Sequence, residues 1–267
     1  MAEVKYIIGK SASSLYEEIG GKRAKEIELL DHNTPDEIVN YFCQIKNPAK
    51  IDFLPLLQYW QNQTNLEDIQ QKLKIGPIKK IHFDVTDNLN VGNSNRCKLT
   101  SNTDLLCLGD DFRIAVEGKY KEFKNLEQSQ EYVYPTIKEM KSGRLPIIQK
   151  IEDDWLEAIH DFCNPDQTRI DDLQYQFLLR LVDACINNPA RAIVLYQFFC
   201  EENFDVNEWL VSLKEWELII NPNERLSIYA QVIHVERIDQ NASVEEIIQK
   251  TKDEKFNAFQ KKCLIQF

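Results

Sequence analysis

The chain has 267 residues, of which 43% are hydrophobic and 10% aromatic, and it carries a formal net charge of -11. This is the composition of a folded protein with a large core, built as one large domain or as a domain with a smaller appendage. The acidic balance and the lack of any long Lys/Arg block exclude a partner held mainly by a continuous basic stretch. A nucleic acid would need basic residues gathered by folding into one cleft, or metal ions to offset the repulsion.

In chain order, SASSLYEEIGGKRAKEIELL (11–30) reads as a helix broken at Gly20-Gly21, with Ser11 to Ser14 as N-cap candidates. A second helix starts at Thr34, with Pro35 in the first turn and Glu37 completing a capping box, and ends before Pro48. FLPLLQYWQNQ and NLEDIQQKLK follow as two short helices. IHFDVT is β-rich, DNLNVGNSNRCKLTSN is a loop or irregular hairpin, and TDLLCL-GDD-FRIAVEGKY is a β-hairpin. Residues 121–141 read as a charged helix, with a loop around Gly143 to Pro146 before the helix EDDWLEAIHDFC. DDLQYQFLLRLVDACIN is strongly amphipathic, with Leu173, Phe177, Leu181 and Ala184 on one face. RAIVLYQFF suits a strand buried on both faces, NEWLVSLKEWELI a helix and RLSIYAQVIHVERI a strand. A closing helix, SVEEIIQKTKDEKFNAFQKK, carries a Ser243/Glu246 capping box.

These elements predict an α/β fold: a mixed central sheet flanked by helices, within one compact domain. Its parts are a mainly helical region over 1–78, an α/β core over 79–240 and a C-terminal helix over 241–267.

The seven cysteines form no C-x-x-C pair and read as small buried hydrophobes in a reducing cytosol. The four histidines lack zinc-ligand spacing, and His82 and His234 read as core or rim residues of strands. Trp155, Trp209 and Trp216 read as core. With neither a signal-peptide core nor a run of ~20 apolar residues, a cytoplasmic protein with no membrane span is expected.

The chemistry concentrates in the hairpin. Strand alternation turns Phe112, Ile114 and Val116 one way and Arg113, Ala115, Glu117 and Lys119 the other. With Asp110-Asp111 as the turn, Gly109 pairs with Phe112 and Asp104 lies opposite Glu117; with Gly109-Asp110 as the turn, Asp104 lies opposite Ala115. Either register puts Asp104 and Glu117 on one face, where two carboxylates repel. A divalent cation held by both would relieve that repulsion, and hard oxygen donors suit Mg²⁺ or Mn²⁺. Lys119 beside them could orient or help deprotonate an attacking water.

TDLLCL…RIAVEGKY resembles the PD-(D/E)xK nuclease superfamily, the restriction-endonuclease-like fold. The resemblance spans roughly residues 11–200 and implies a helix, three-strand, helix, strand core. By resemblance, Asp104 and Glu117 are metal ligands and Lys119 is the catalytic lysine, with Thr103 where the family carries proline. It also implies an acidic residue on the first helix, best matched by Glu18, and a Q-x-x-x-Y motif that both Gln128…Tyr132 and Gln130…Tyr134 fit. Lys121 and Lys124 are candidates for phosphate contact. The implied activity is Mg²⁺-dependent endonucleolytic cleavage of DNA, and a homodimer is left open. The alternative is an inactive protein of the same fold that serves as a protein-interaction module.

Overall fold

A computed structural model of the chain describes residues 4–8, 27–28, 54–88, 100–120, 135–200, 206–235 and 259–267. The strands are β1 (Lys5–Ile8), β2 (Ile27–Glu28), β3 (Lys80–Asn88), β4 (Thr100–Leu108), β5 (Phe112–Tyr120), β6 (Arg191–Cys200), β7 (Leu226–Val235) and β8 (Phe259–Gln266). The helices are α1 (Leu54–Gln61), α2 (Gln63–Leu73), α3 (Ile137–Ile159), α4 (Tyr175–Cys185) and α5 (Asn207–Ile220). The strands form one mixed sheet in the order β2-β1-β3-β4-β5-β6-β7-β8.

β3, β4 and β5 form an antiparallel meander. The chain then crosses over through α3 and α4 to β6, which lies parallel to β5, and through α5 to β7, parallel to β6. The hairpin that carries the candidate site is therefore interior to the sheet. β6 is buried almost end to end, as a strand covered on both faces should be.

The helices sort by face, because alternate side chains of each strand need cover on opposite sides. α1 and α2 pack Leu56, Trp60, Ile69 and Leu73 against Phe83, Ile114, Val116 and Leu195. On the opposite face, α3, α4 and α5 pack Trp155, Phe177, Leu181 and Trp216 against Leu106, Ala115, Val194 and Ile228. Trp155 and Trp216 are core residues, and Trp209 packs partly buried against the same core.

Three expectations are corrected. Residues 27–28, expected inside the first helix, pair with β1 as a strand. The chain end, expected as helix to residue 267, is β8, an antiparallel edge strand on β7. Its apolar run from Cys263 to Ile265 needs no helical period, and it supplies backbone partners that β7 would otherwise lack. The expected loop at Gly143 to Pro146 is continuous helix within α3. Thr136 and Glu139 close a full capping box at its start, and Trp155 and Ile159 are buried near its end. Both ends are thus fixed, and the helix tolerates the N–H that Pro146 lacks. The helices expected at 34–46 and 241–258, and most of those at 11–30 and 121–141, lie outside the described residues.

Polar residues interrupt the core beneath α1. Gln197 and Gln231 face each other on β6 and β7, and both are fully buried. Trp60 Nε1 donates to Gln197 Oε1 at 2.6 Å, Gln197 Nε2 to Gln231 Oε1 at 2.6 Å, and Gln231 Nε2 to the Tyr59 hydroxyl at 2.9 Å. This chain of donors fixes the rotation of α1 on the sheet, because slipping α1 would strand buried amides. Gln197→Leu removes the acceptor of Trp60 and the donor to Gln231, and should cost about 2 kcal/mol. Urea denaturation should show a lower midpoint with an unchanged slope.

Candidate functional site

The hairpin adopts the first of the two registers. Leu108 pairs with Arg113 and Leu105 with Val116, and the Gly109 N–H donates to the Phe112 carbonyl at 3.1 Å. Asp110-Asp111 is therefore the two-residue turn. Pairing between β4 and β5 ends at Leu105, one residue short of Asp104. There the Asp104 carboxylate takes the Gly118 N–H at 2.8 Å and extends the ladder through a side chain.

Glu117 and Lys119 point toward α4, both buried, with Lys119 only 1% exposed. Lys119 Nζ donates to Glu117 Oε1 at 2.8 Å. The other oxygen, Oε2, accepts from Arg180 Nε at 2.5 Å. Arg180 Nη1 donates to Asp183 Oδ2 at 3.0 Å and to Thr103 Oγ1 at 2.9 Å, and the Thr103 hydroxyl donates to Asp183. Lys119 also approaches Gln176 Oε1 at 3.4 Å and lies 5.7 Å from the centre of the Trp209 ring. The Glu117–Lys119 and Arg180–Asp183 pairs thus share one buried cluster, joined by the Arg180–Glu117 bridge.

Gly118, between the two charged residues, faces α1. A Cβ there would come within 3.2 Å of Leu56 Cδ2, so the middle position of the tripeptide must be small. The opposite face of β5 is thereby free to carry the charges while this one closes onto the core.

The charges act on one another. Burial would raise the Glu117 carboxyl, but Arg180 and then Lys119 outweigh it and hold Glu117 below its usual range. Burial would weaken the Arg180 charge, yet Glu117, Asp183 and Asp104 reverse that and keep it firmly protonated. Asp104 goes the other way. Burial first, and then the neighbouring Glu117 charge, push its carboxyl up to about 7, against the pull of Arg180, Lys119 and the Gly118 N–H.

Asp104, Glu117 and Lys119 therefore meet at one end of the hairpin. Glu18, Lys121, Lys124 and the two Gln…Tyr pairs lie outside the described residues. The residues that the sequence reading missed are Arg180, Asp183 and Gln176, and Thr103, noted there only at the family's proline position, joins them. Arg180 was detectable: it sits three residues after Phe177 and four before Ala184, a cation on the apolar stripe of the most amphipathic helix. The described cysteines Cys107, Cys163, Cys185 and Cys200 are free and buried. Burial raises Cys163 and Cys200 to about 12 and holds Cys107 and Cys185 well above the ordinary thiol range, so none of these thiols supplies a nucleophile near neutrality.

Because the Asp104 carboxyl rises from an ordinary 3.8 to about 7, the stability it contributes is present below the ordinary range and lost as pH rises through about 7. Asp104→Asn mimics the neutral acid. It should leave Tm nearly unchanged at pH ~3.5, begin to raise it above that, and raise it most at pH ~8.5, a difference that thermal melts across this range will read.

No curated protein matches the chain, and no solved structure does. A family model matches residues 54–252, which include both helices beneath the sheet, the hairpin and the α4 cluster. The chain belongs to that family, described as a domain of unknown function, DUF6946.

Proposed function

We propose that this chain is a metal-dependent phosphodiesterase acting on DNA, with Asp104 and Glu117 as metal ligands and Lys119 as the catalytic lysine. One observation carries the reading. Asp104 is a half-buried carboxylate held by the Gly118 N–H, and beside it stands the buried carboxylate of Glu117 with Lys119 on one of its oxygens. A divalent cation between the two carboxylates would relieve their repulsion and draw in the negative charge of a phosphodiester.

The donor set fits Mg²⁺ or Mn²⁺. Asp104 and Glu117 are hard oxygen donors, and burial together with the neighbouring Glu117 charge raises Asp104. Among the described residues no third carboxylate or imidazole groups with them. Two carboxylates suffice for Mg²⁺, which keeps waters and takes substrate phosphate as further ligands. When bound, such an ion lowers the pKa of a coordinated water and neutralises a phosphate oxygen. Arg180 fixes Glu117 in one rotamer, and the Gly118 N–H fixes Asp104. Lys119, held by Glu117, places a cation beside the carboxylates, where it can orient a water or offset charge gathering on the phosphate. Substrate approach is from the Asp104 side, since Asp104 is the more exposed member of the three.

The fold supports the same reading through its element order: helices, an antiparallel three-strand meander, crossover helices, then a strand parallel to the last of the three. A second reading, a binding module without catalysis, is favoured by the fact that both Glu117 oxygens are already engaged by cations.

Incubation of supercoiled plasmid, single-stranded DNA and RNA with Mg²⁺, Mn²⁺ or EDTA separates the two readings. Divalent-dependent cleavage that falls at least ~100-fold in Lys119→Ala is the expected result. Equal absence of cleavage in wild type and variant on every substrate would sink the catalytic assignment.

A further inference from the structure

The Arg180 guanidinium sits where a metal ligand's second partner should be. Its Nε is 2.5 Å from Glu117 Oε2, the oxygen not taken by Lys119. Its Nη1 is held separately, by Asp183 at 3.0 Å and Thr103 at 2.9 Å. One fork of the guanidinium thus grips the candidate ligand while the other grips a carboxylate anchored on the same helix. We propose that Arg180 is a built-in competitor of the divalent cation: it occupies Glu117 in the metal-free protein and yields that oxygen while Asp183 and Thr103 retain it. This rests on the reading of Glu117 as a metal ligand.

Three features carry the proposal. The first is geometry: Arg180 meets Glu117 through Nε and Asp183 through Nη1, so it can release one carboxylate while a different nitrogen keeps the other. The second is cost. A guanidinium buried to 1% exposure is expensive to desolvate and needs carboxylates on both sides, so a cation entering beside Glu117 must contend with a charge already neutralised. The third is the position of Asp183, three residues after Arg180 on α4, where it keeps the guanidinium near the site whichever partner Glu117 takes. Arg180 is a positioning residue, not a catalytic one. Its effect is to make the metal-free site self-satisfied and its divalent affinity low. A phosphodiester should raise that affinity, because its negative charge offsets the added cation.

The test is Mn²⁺ binding to the full chain without substrate, read by loss of the free-ion electron paramagnetic resonance signal. In Arg180→Met/Asp183→Asn the ion pair is removed together, Glu117 keeps Lys119, and the Asp183 backbone carbonyl still accepts from Arg113. This double variant should bind Mn²⁺ at least ~10-fold tighter than wild type, and adding Glu117→Gln should abolish the gain. Should the double variant fail to fold, Arg180→Lys serves. It keeps the charge but lacks the separate Nε and Nη1 donors that reach Glu117 and Asp183, and its Mn²⁺ affinity should exceed that of wild type. Wild-type binding with no tightening in either variant overturns the competitor role and leaves the metal-ligand reading intact. No Mn²⁺ binding in wild type, double variant or Arg180→Lys overturns both.

Discussion

The bridge between Glu117 and Arg180 joins the two halves of the molecule that matter most. Glu117 is on β5, inside the meander, and Arg180 is on α4, inside the crossover that leads to β6. Neither charge could be buried alone: an unpaired carboxylate or guanidinium at that depth would lose far more in hydration than packing returns. Each therefore requires the other, and α4 can dock on the sheet only in the rotation that brings Arg180 over β5. The apolar stripe of Phe177, Leu181 and Ala184 supplies the attraction, but an apolar stripe tolerates sliding. The ion pair is directional, so it sets the register of helix on sheet.

The opposite face is fixed in the same manner with neutral groups. Gln197 and Gln231 meet across adjacent strands and tie Trp60 and Tyr59 to the sheet, just as Arg180 ties α4. Gly118 pairs with Gln197 on the neighbouring strand, so three consecutive residues of β5 serve both sides. Glu117 and Lys119 enter the ion cluster, and Gly118 admits Leu56 of α1. The candidate site is thus clamped from above and below. Such support keeps a constellation of charges within the narrow geometry that chemistry or selective binding needs.

Much of this was legible in the sequence because it followed from short-range periodicity. The hairpin turn, the alternation along FRIAVEGKY, the doubly buried RAIVLYQFF strand and the stripe of α4 are all set by local pattern. The chain end was misread because a capping box and a charged run continued a helical pattern into residues whose state is decided by β7, a long-range partner. Gly143 and Pro146 misled for a related reason: local breakers were overridden by a helix fixed at both ends. In the site, Asp104, Glu117 and Lys119 were visible as charges on one hairpin. Arg180 and Asp183 were not connected to them, because nothing in linear spacing says that a residue 63 positions after Glu117 will lie on it.

The net charge of -11 bears on the substrate less than it first suggests. Exposed charges more than about 8 Å apart are largely screened at physiological ionic strength, whereas buried pairs are not. What an approaching phosphate would meet is set by the few groups around Asp104. An overall acidic surface slows the encounter with a polyanion, since long-range steering works against it. It does not decide whether the phosphate, once at the site, is held. That is a local contest between Asp104, whose carboxyl is half-neutralised near pH 7, and whatever cation joins it. On the proposed reading, this acidic chain would meet a polyanion slowly and would hold its phosphate only through a metal at Asp104 and Glu117.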